Sequence, residues 1–274
     1  MKISFLIVVL IIISCLKDGA SIYCKPFKSS DMKSYKLFSR IINDNFIIDI
    51  SIPENYNENE NERYPVLYMT DGNWRRGQHK PIHEMTNTEN VEEMIVVGIS
   101  YPDDYNPDSI RVRDLITSAD KFLGFILHEL IPYIDKNYRT ITTDRTLWGS
   151  SFGGYFAMYV LFHACDTTKD VFKNYIVASP AAFRTTKFND KDMNLFDYER
   201  ILFEKTKALK ENLYITVGGV ETQYFKDSFN NLVRVLKERN YKDFYFKSYI
   251  DPGKDHYTVW EPALYTGIKL FLKK

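Results

Sequence analysis

Apolar and polar residues alternate in blocks along most of the chain. Short runs rich in apolar and β-branched residues predict strands at residues 39–52, 66–69, 94–99, 147–148, 175–178, 213–217 and 244–250. Longer stretches with apolar residues at helical spacing predict helices at residues 115–133, 154–162, 194–207, 225–239 and 259–272. Because strands and helices alternate, we expect a mostly parallel sheet with helices on both faces. The loop at residues 53–63 is too short to link two domains, so one α/β domain is predicted over residues 36–273.

The first twenty residues have the pattern of an export signal. Lys2 precedes an apolar run at residues 3–13, which has the length of a signal-peptide core and is short for a membrane span. We therefore predict a signal peptide over residues 1–20 and an exported protein. Residues 12–15 resemble the lipobox of bacterial lipoproteins, in which Cys15 would carry a lipid anchor. Cleavage near Ala20 is the alternative, and a membrane is expected as a partner only through such an anchor.

Charge and cysteine content restrict the other partners. The chain has 36 Lys and Arg and 36 Asp and Glu, and this balance gives no indication of a nucleic-acid partner. Cys24 and Cys165 would remain after removal of the signal peptide. In an exported protein they could form a disulfide or stay as two thiols.

Residues 149–153 read Gly-Ser-Ser-Phe-Gly between a predicted strand and a predicted helix. This G-x-S-x-G pattern in a strand–turn–helix context is a nucleophile elbow, which places the middle serine, Ser151, on a strained turn above the sheet. The small residues beside it let the helix approach the strand closely. The bare pattern occurs by chance in about one chain in ten or twenty, so the rest of the site must support the assignment.

A serine nucleophile needs a general base and a carboxylate that orients the base, in the chain order Ser, acid, His in this fold. Two histidines follow Ser151: His163, about three turns along the helix that leaves the elbow, and His256, in the loop after the last predicted strand. Loops at the carboxyl ends of parallel strands form such sites, so His256 is the predicted base. Glu221, the first carboxylate after the strand at 213–217, is the predicted acid. Three other carboxylates stay open as alternatives: Asp227, Asp251 and Asp255.

The oxyanion hole needs two backbone amides. One belongs to the residue after the nucleophile, Phe152, and the other to Gly72 or Asn73 in the loop after the strand at 66–69. Trp74 in the same loop is a candidate for contact with substrate. This chemistry needs no cofactor. His79 and His83 have the spacing of metal ligands on a helix, but no cysteine cluster accompanies them and no metal site is expected.

Several segments together resemble the signatures of the "Putative esterase" family of α/β-hydrolases. They are residues 68–73, 111–115, 129–134, 149–154 and 178–180, followed by His256 and Trp260. The family includes siderophore (enterobactin-type) esterases, S-formylglutathione hydrolase, feruloyl and acetylxylan esterases and mycolyltransferases. The Asp-Gly-Asn and Arg-x-Arg-Asp-Leu segments are most similar to the siderophore esterases, which implies that Arg111 or Arg113 meets an anionic substrate. Relatives often carry Trp soon after Ser-Pro, where this chain has Phe183.

The resemblance and the residue patterns lead to one expectation and two alternatives. We expect an exported α/β-hydrolase that cleaves a small-molecule or polymer-linked carboxylic ester through an acyl-enzyme on Ser151. The first alternative is a carbohydrate esterase for feruloyl or acetyl groups, or an acyltransferase. The second is a non-catalytic binding protein of the same fold, which would have no need for an elbow, an acid and a late histidine together.

Overall fold

The computed structural model describes residues 32–188 and 191–274. Its strands are β1 (Lys33–Ser39), β2 (Asp44–Ser51), β3 (Tyr64–Met69), β4 (Ile95–Ser100), β5 (Thr140–Ser150), β6 (Asn174–Ala178), β7 (Thr186–Phe188), β8 (Lys191–Met193), β9 (Asn212–Gly218) and β10 (Tyr245–Asp251). Its helices are α1 (His79–Thr88), α2 (Pro107–Val112), α3 (Ala119–Phe125), α4 (Ile131–Asn137), α5 (Phe152–Leu161), α6 (Leu195–Lys205), α7 (Gln223–Arg239) and α8 (Trp260–Phe271). The predicted signal peptide, with Cys15, and Cys24 lie outside the described residues.

Within the described residues, eight strands form one sheet in the order β1-β2-β4-β3-β5-β6-β9-β10. Strand β2 pairs antiparallel with β1 and with β4, and the pairs from β4 to β10 are all parallel. The mostly parallel sheet predicted from the sequence is therefore confirmed. Strands β7 and β8 form a separate short hairpin.

Alternate residues of the central strands enter two cores on opposite faces of the sheet. In β3, Val66 and Tyr68 belong to the larger core, which α3, α5 and α7 cover. Leu67 and Met69 belong to the smaller core, which α1 and α8 cover. Because both faces are buried, the central strands are continuously apolar instead of alternating.

The helical region after β4 differs from the single predicted helix at 115–133. It consists of α2, α3 and α4 with π-helical turns at Arg113–Thr117 and Ile126–Leu130. Pro132 is the second residue of α4 and lies directly after the π-helical turn that ends at Leu130. Across the part of the chain that the structure covers, none of the helices combines the length and the apolar character needed to cross a bilayer.

Candidate active site

Ser151 lies between the end of β5 and the start of α5 with φ 60° and ψ −113°, a backbone conformation that non-glycine residues rarely adopt. Its N–H donates to the carbonyl of Ala178 at 2.9 Å. Close packing requires glycine at the two flanking positions. A Cβ on Gly149 would overlap the carbonyl of Gly153, and a Cβ on Gly153 would overlap Thr70 Oγ1. The turn is the strained elbow that the sequence pattern predicts.

A chain of hydrogen bonds joins three strand ends. His256, in the loop between β10 and α8, places Nε2 3.1 Å from Ser151 Oγ. Its Nδ1 lies 2.9 Å from Oε2 of Glu221, which is in the loop between β9 and α7. With Nδ1 protonated, Nε2 is left as an acceptor for the serine proton. The three residues selected from the sequence are thus adjacent and in the order that nucleophilic catalysis needs.

Two donors hold the carboxylate of Glu221, whose side chain is fully buried. Oε1 accepts from the backbone N–H of Gly218 at 2.9 Å and from the hydroxyl of Ser179. Ser179 follows β6 with φ 46°, which turns the chain toward Glu221. Its role was missed at the sequence level, where the only signal was a Ser-Pro pair at the end of a strand.

The alternative acids are engaged elsewhere. Asp227 accepts a hydrogen bond from Gln223 one turn earlier on α7, at 2.8 Å. Asp255 accepts from the hydroxyl of Thr258 at 2.7 Å. Asp251 contributes its backbone carbonyl oxygen, which accepts from Gly219 N–H at 2.6 Å, and the carboxylate bonded to His256 Nδ1 is that of Glu221. Glu221 is therefore the carboxylate that the geometry pairs with His256.

Aromatic rings fix the plane of the His256 imidazole. Phe225 stacks on it with ring centroids 3.9 Å apart and an interplanar angle of 26°. The ring centroids of Tyr224 and Phe225 are 5.0 Å apart, and those of Phe183 and Tyr224 are 5.6 Å apart. Phe183, three residues after the Ser-Pro pair, thus belongs to an aromatic row that begins at the histidine.

The candidate oxyanion amides belong to the start of α5 and to the loop after β3. Phe152 is the first residue of α5, so its N–H has no partner within the helix. In the loop after β3, Gly72 is buried, and a Cβ there would overlap Ser100 Oγ. The side chain of Asn73 binds the backbone of Tyr101, donating to its carbonyl at 2.8 Å and accepting from its N–H at 2.7 Å. Asn73 therefore anchors the loop through its side chain and can offer only its backbone to a substrate.

Ser151 and His256 open into a cleft of about 480 Å³. The other residues that line it are Asp71, Trp74, Arg75, Asp108, Arg111, Ser150, Tyr257 and Trp260. Arg111 is bound to Asp71 by two hydrogen bonds of 2.6 and 2.9 Å. Trp74, predicted as a substrate contact, is 49% exposed at the cleft. A firm role for Arg75 could not be predicted from the sequence, because its guanidinium packs on the rings of Trp148 and Trp260, which are distant along the chain.

Arg113 does not line this cleft. Its guanidinium makes ion pairs with Asp44 at 2.6 Å and with Asp114 at 2.7 Å. Bonds to these two carboxylates raise the pKa of Arg113 above its ordinary value, against the opposing effect of burial. Of the two arginines that the family resemblance implied as substrate contacts, the structure thus brings only Arg111 to the nucleophile.

His79 and His83 are buried on α1 and share one partner. Ser51 Oγ lies 2.7 Å from His79 Nδ1 and 2.8 Å from His83 Nε2. Burial lowers the pKa of His79 to about 4. Within residues 32–188 and 191–274, no three His, Cys, Asp or Glu side chains are grouped in a way that could hold a metal ion. The two histidines join α1 to β2.

Comparisons with known proteins agree with this fold. The family model described as "Putative esterase" matches residues 39–271. The ferri-bacillibactin esterase BesA of Bacillus subtilis is 26% identical over 200 residues, which are 64% of this chain and 66% of that protein. The siderophore enterobactin esterase of Emericella nidulans is 28% identical over 281 residues, covering 81% of this chain and 87% of the relative. The crystal structure of the BES protein from Bacillus cereus superposes with a TM-score of 0.73 at 24% identity, over 95% of this chain and 99% of that chain. The expected α/β-hydrolase fold is confirmed.

Proposed function

The chain belongs to the "Putative esterase" family and is a carboxylic-ester hydrolase, and from this premise we propose that it works through an acyl-enzyme formed on Ser151. The observation that carries the proposal is the hydrogen-bonded chain from Ser151 Oγ through His256 to Glu221. Each member comes from a different strand end, so the arrangement is a product of the fold as a whole.

The reaction follows from this geometry in two halves. His256 Nε2 takes the proton of Ser151 Oγ while the oxygen attacks the ester carbonyl, and the N–H groups of Phe152 and of Gly72 or Asn73 stabilise the oxyanion. The imidazolium returns the proton to the departing alcohol, which leaves the acyl group on Ser151. Water then attacks the acyl carbon and gives its proton to His256, which passes it to Ser151 Oγ as the bond to the acyl group breaks and the acid is released. Glu221 stabilises the imidazolium in both halves.

Labelling with a fluorophosphonate probe tests the nucleophile. We expect wild type to be labelled on Ser151 and to hydrolyse p-nitrophenyl acetate, and Ser151→Ala to lose both properties. The neighbouring Ser150→Ala variant is the matched control, and it should retain the label at Ser151. Equal hydrolysis by wild type and Ser151→Ala would contradict the mechanism.

We extend the proposal to siderophore esters as the substrates. Two relatives are named as siderophore esterases, and the cleft combines Trp74 and Trp260 with Arg75, a lining suited to aromatic, negatively charged groups. Mass spectrometry of the products from a catecholate trilactone, from acetylated glycan and from feruloylated glycan tests this choice. Release of dihydroxybenzoyl-serine supports it, whereas release only of acetate or ferulate, or acyl transfer to an added alcohol, favours the alternatives.

We also propose that the protein is exported, with residues 36–273 as its catalytic domain. The support is the pattern of residues 1–20, with Lys2 before the apolar run. The mass of the mature protein from expressing cells distinguishes the forms. A lipidated N-terminus at Cys15 indicates a lipoprotein, cleavage near Ala20 indicates a free exported protein, and an uncleaved cytosolic chain would contradict the proposal.

A further inference from the structure

Arg111 and Arg113 already have carboxylate partners. Arg111 uses Nε and Nη2 to bind both oxygens of Asp71. Arg113 uses Nε and Nη2 on Asp114 and Nη1 on Asp44. A guanidinium that is bound by a carboxylate across its fork has its positive charge offset by that carboxylate, which weakens its attraction for a negatively charged substrate. Neither arginine supplies a free positive charge to the cleft.

Arg75 is held by aromatic rings instead of by a carboxylate. Its guanidinium carbon lies 3.7 Å from the ring centroid of Trp260 and 5.0 Å from that of Trp148. Among the described residues it makes no ion pair, and its Nε has no hydrogen-bond partner. Nη1 makes one long bond of 3.4 Å to the carbonyl of Trp74. Stacking fixes the plane of the guanidinium while most of its donors stay unused.

The surroundings of the two cleft arginines differ in charge as well. Burial disfavours the charged form of Arg111, but Asp71 outweighs burial and raises the pKa above its ordinary value, with Asp108 acting in the same direction. Burial lowers the pKa of Arg75 to about 10; Asp71 and Glu261 raise it by less, and Arg111 lowers it further. Arg75 keeps its proton at neutral pH and is therefore a cation that forms no ion pair with a carboxylate of the described residues.

We propose that Arg75 determines the specificity of the cleft by binding a negatively charged oxygen of the substrate. This inference rests on the proposed function, since Arg75 lines the same cleft as Ser151 and His256. A cleft of about 480 Å³ has the size of a small-molecule site, so the charged oxygen must lie close to the scissile ester. The ligand class is a carboxylic ester with a carboxylate or phenolate on the group next to the ester bond.

Two matched pairs of esters test the inference from either side of the ester bond. On the alcohol side, 3-acetoxybenzoate is compared with its neutral amide, 3-acetoxybenzamide. On the acyl side, 4-nitrophenyl hemisuccinate is compared with 4-nitrophenyl succinamate. We expect wild type to prefer the anionic member of at least one pair by about 10- to 100-fold in kcat/KM, the range for one charge-assisted hydrogen bond.

Substitution of the arginine should remove that preference. Arg75→Gln is expected to lose it through a higher KM for the anionic ester, with kcat/KM for the neutral ester within about twofold of wild type. Arg75→Lys, which keeps the charge, should restore part of the preference. Arg234→Gln makes the same change of net charge on the exposed face of α7, 59% exposed at its side chain, and should leave the preference intact. An equal loss of kcat/KM on charged and neutral esters in Arg75→Gln, or an unchanged preference for the anionic ester in both pairs, would overturn the inference.

A measurement on wild type covers the case in which Arg75→Gln does not fold. Benzoate should inhibit hydrolysis of p-nitrophenyl acetate competitively and about tenfold more strongly than benzamide, and added salt should weaken benzoate alone. Equal inhibition by the two compounds would refute the anion site. Failure of the proposed function looks different, because hydrolysis of the neutral ester would then survive Ser151→Ala.

Discussion

At the scale of single residues, the donors around Glu221 decide how His256 can act. The Gly218 N–H and the Ser179 hydroxyl both require an acceptor at Oε1. In Glu221→Gln the amide oxygen would occupy that position, and the amide NH₂ would face Nδ1 of His256. Since NH₂ is a donor, Nδ1 would lose its proton and Nε2 would carry it, so the imidazole could no longer accept the proton of Ser151.

Glu221→Gln is therefore expected to lower kcat by roughly 10³- to 10⁴-fold while the protein stays folded. The matched control is Asp227→Asn, which changes a carboxylate on α7 that is bound to Gln223 and should retain activity. Steady-state kinetics with p-nitrophenyl acetate measure both variants. If Asp227→Asn is the inactive one, the acid of the triad has been assigned to the wrong residue.

At the scale of elements, the join between β5 and α5 depends on backbone packing. A Cβ on Gly149 would overlap the carbonyl oxygen and carbon of Gly153 and approach the N–H of Gly154 to 2.9 Å. All three are backbone atoms, so relief requires α5 to move away from the sheet. Such a shift would also displace Ser151 and the Phe152 amide, because both lie within the join.

We expect Gly149→Ala to lower the free energy of unfolding by about 3 kcal/mol or more and to abolish activity. Gly77→Ala is the control, because a Cβ there meets nothing within 4 Å, and its stability should stay within about 0.5 kcal/mol of wild type. Chemical denaturation measures both. A fully stable Gly149→Ala enzyme would show that the helix does not need this close approach.

The elements that could be predicted from the sequence have a clear pattern of apolar residues, and helix α1, which was missed, does not. Continuous apolar runs identify β3, β4 and β6, because strands buried on both faces need apolar residues throughout. Helix α1 was missed: its buried face is made partly of His79 and His83, which read as polar until Ser51 is placed beside them. Ser151, Glu221 and His256 could be selected from the elbow pattern, the chain order and the predicted strand ends, whereas the contact of Arg75 with Trp260 is visible only in three dimensions.

At the scale of the whole molecule, acid should destabilise the fold through buried histidines. His79 is 2% exposed, and burial lowers its pKa from 6.5 to about 4; burial also lowers the pKa of His163. Between these pH values the unfolded chain binds more protons than the native protein, so the free energy of unfolding falls as the pH falls. The contribution of His79 is complete above pH 6.5 and is lost progressively toward pH 4.

For His79 the lowering from 6.5 to about 4 corresponds to about 3 kcal/mol. Denaturation by guanidinium at several pH values between 7 and 4 should give a steep loss of stability in wild type. His79→Gln should be less stable at pH 7, because it loses the bond to Ser51, yet its stability should fall less steeply with acid. His128→Gln, which changes an exposed histidine on the π-helical turn before α4, controls for the replacement of one histidine by glutamine. If the free energy of unfolding of His79→Gln falls with pH as steeply as that of wild type, His79 is not a source of the acid sensitivity.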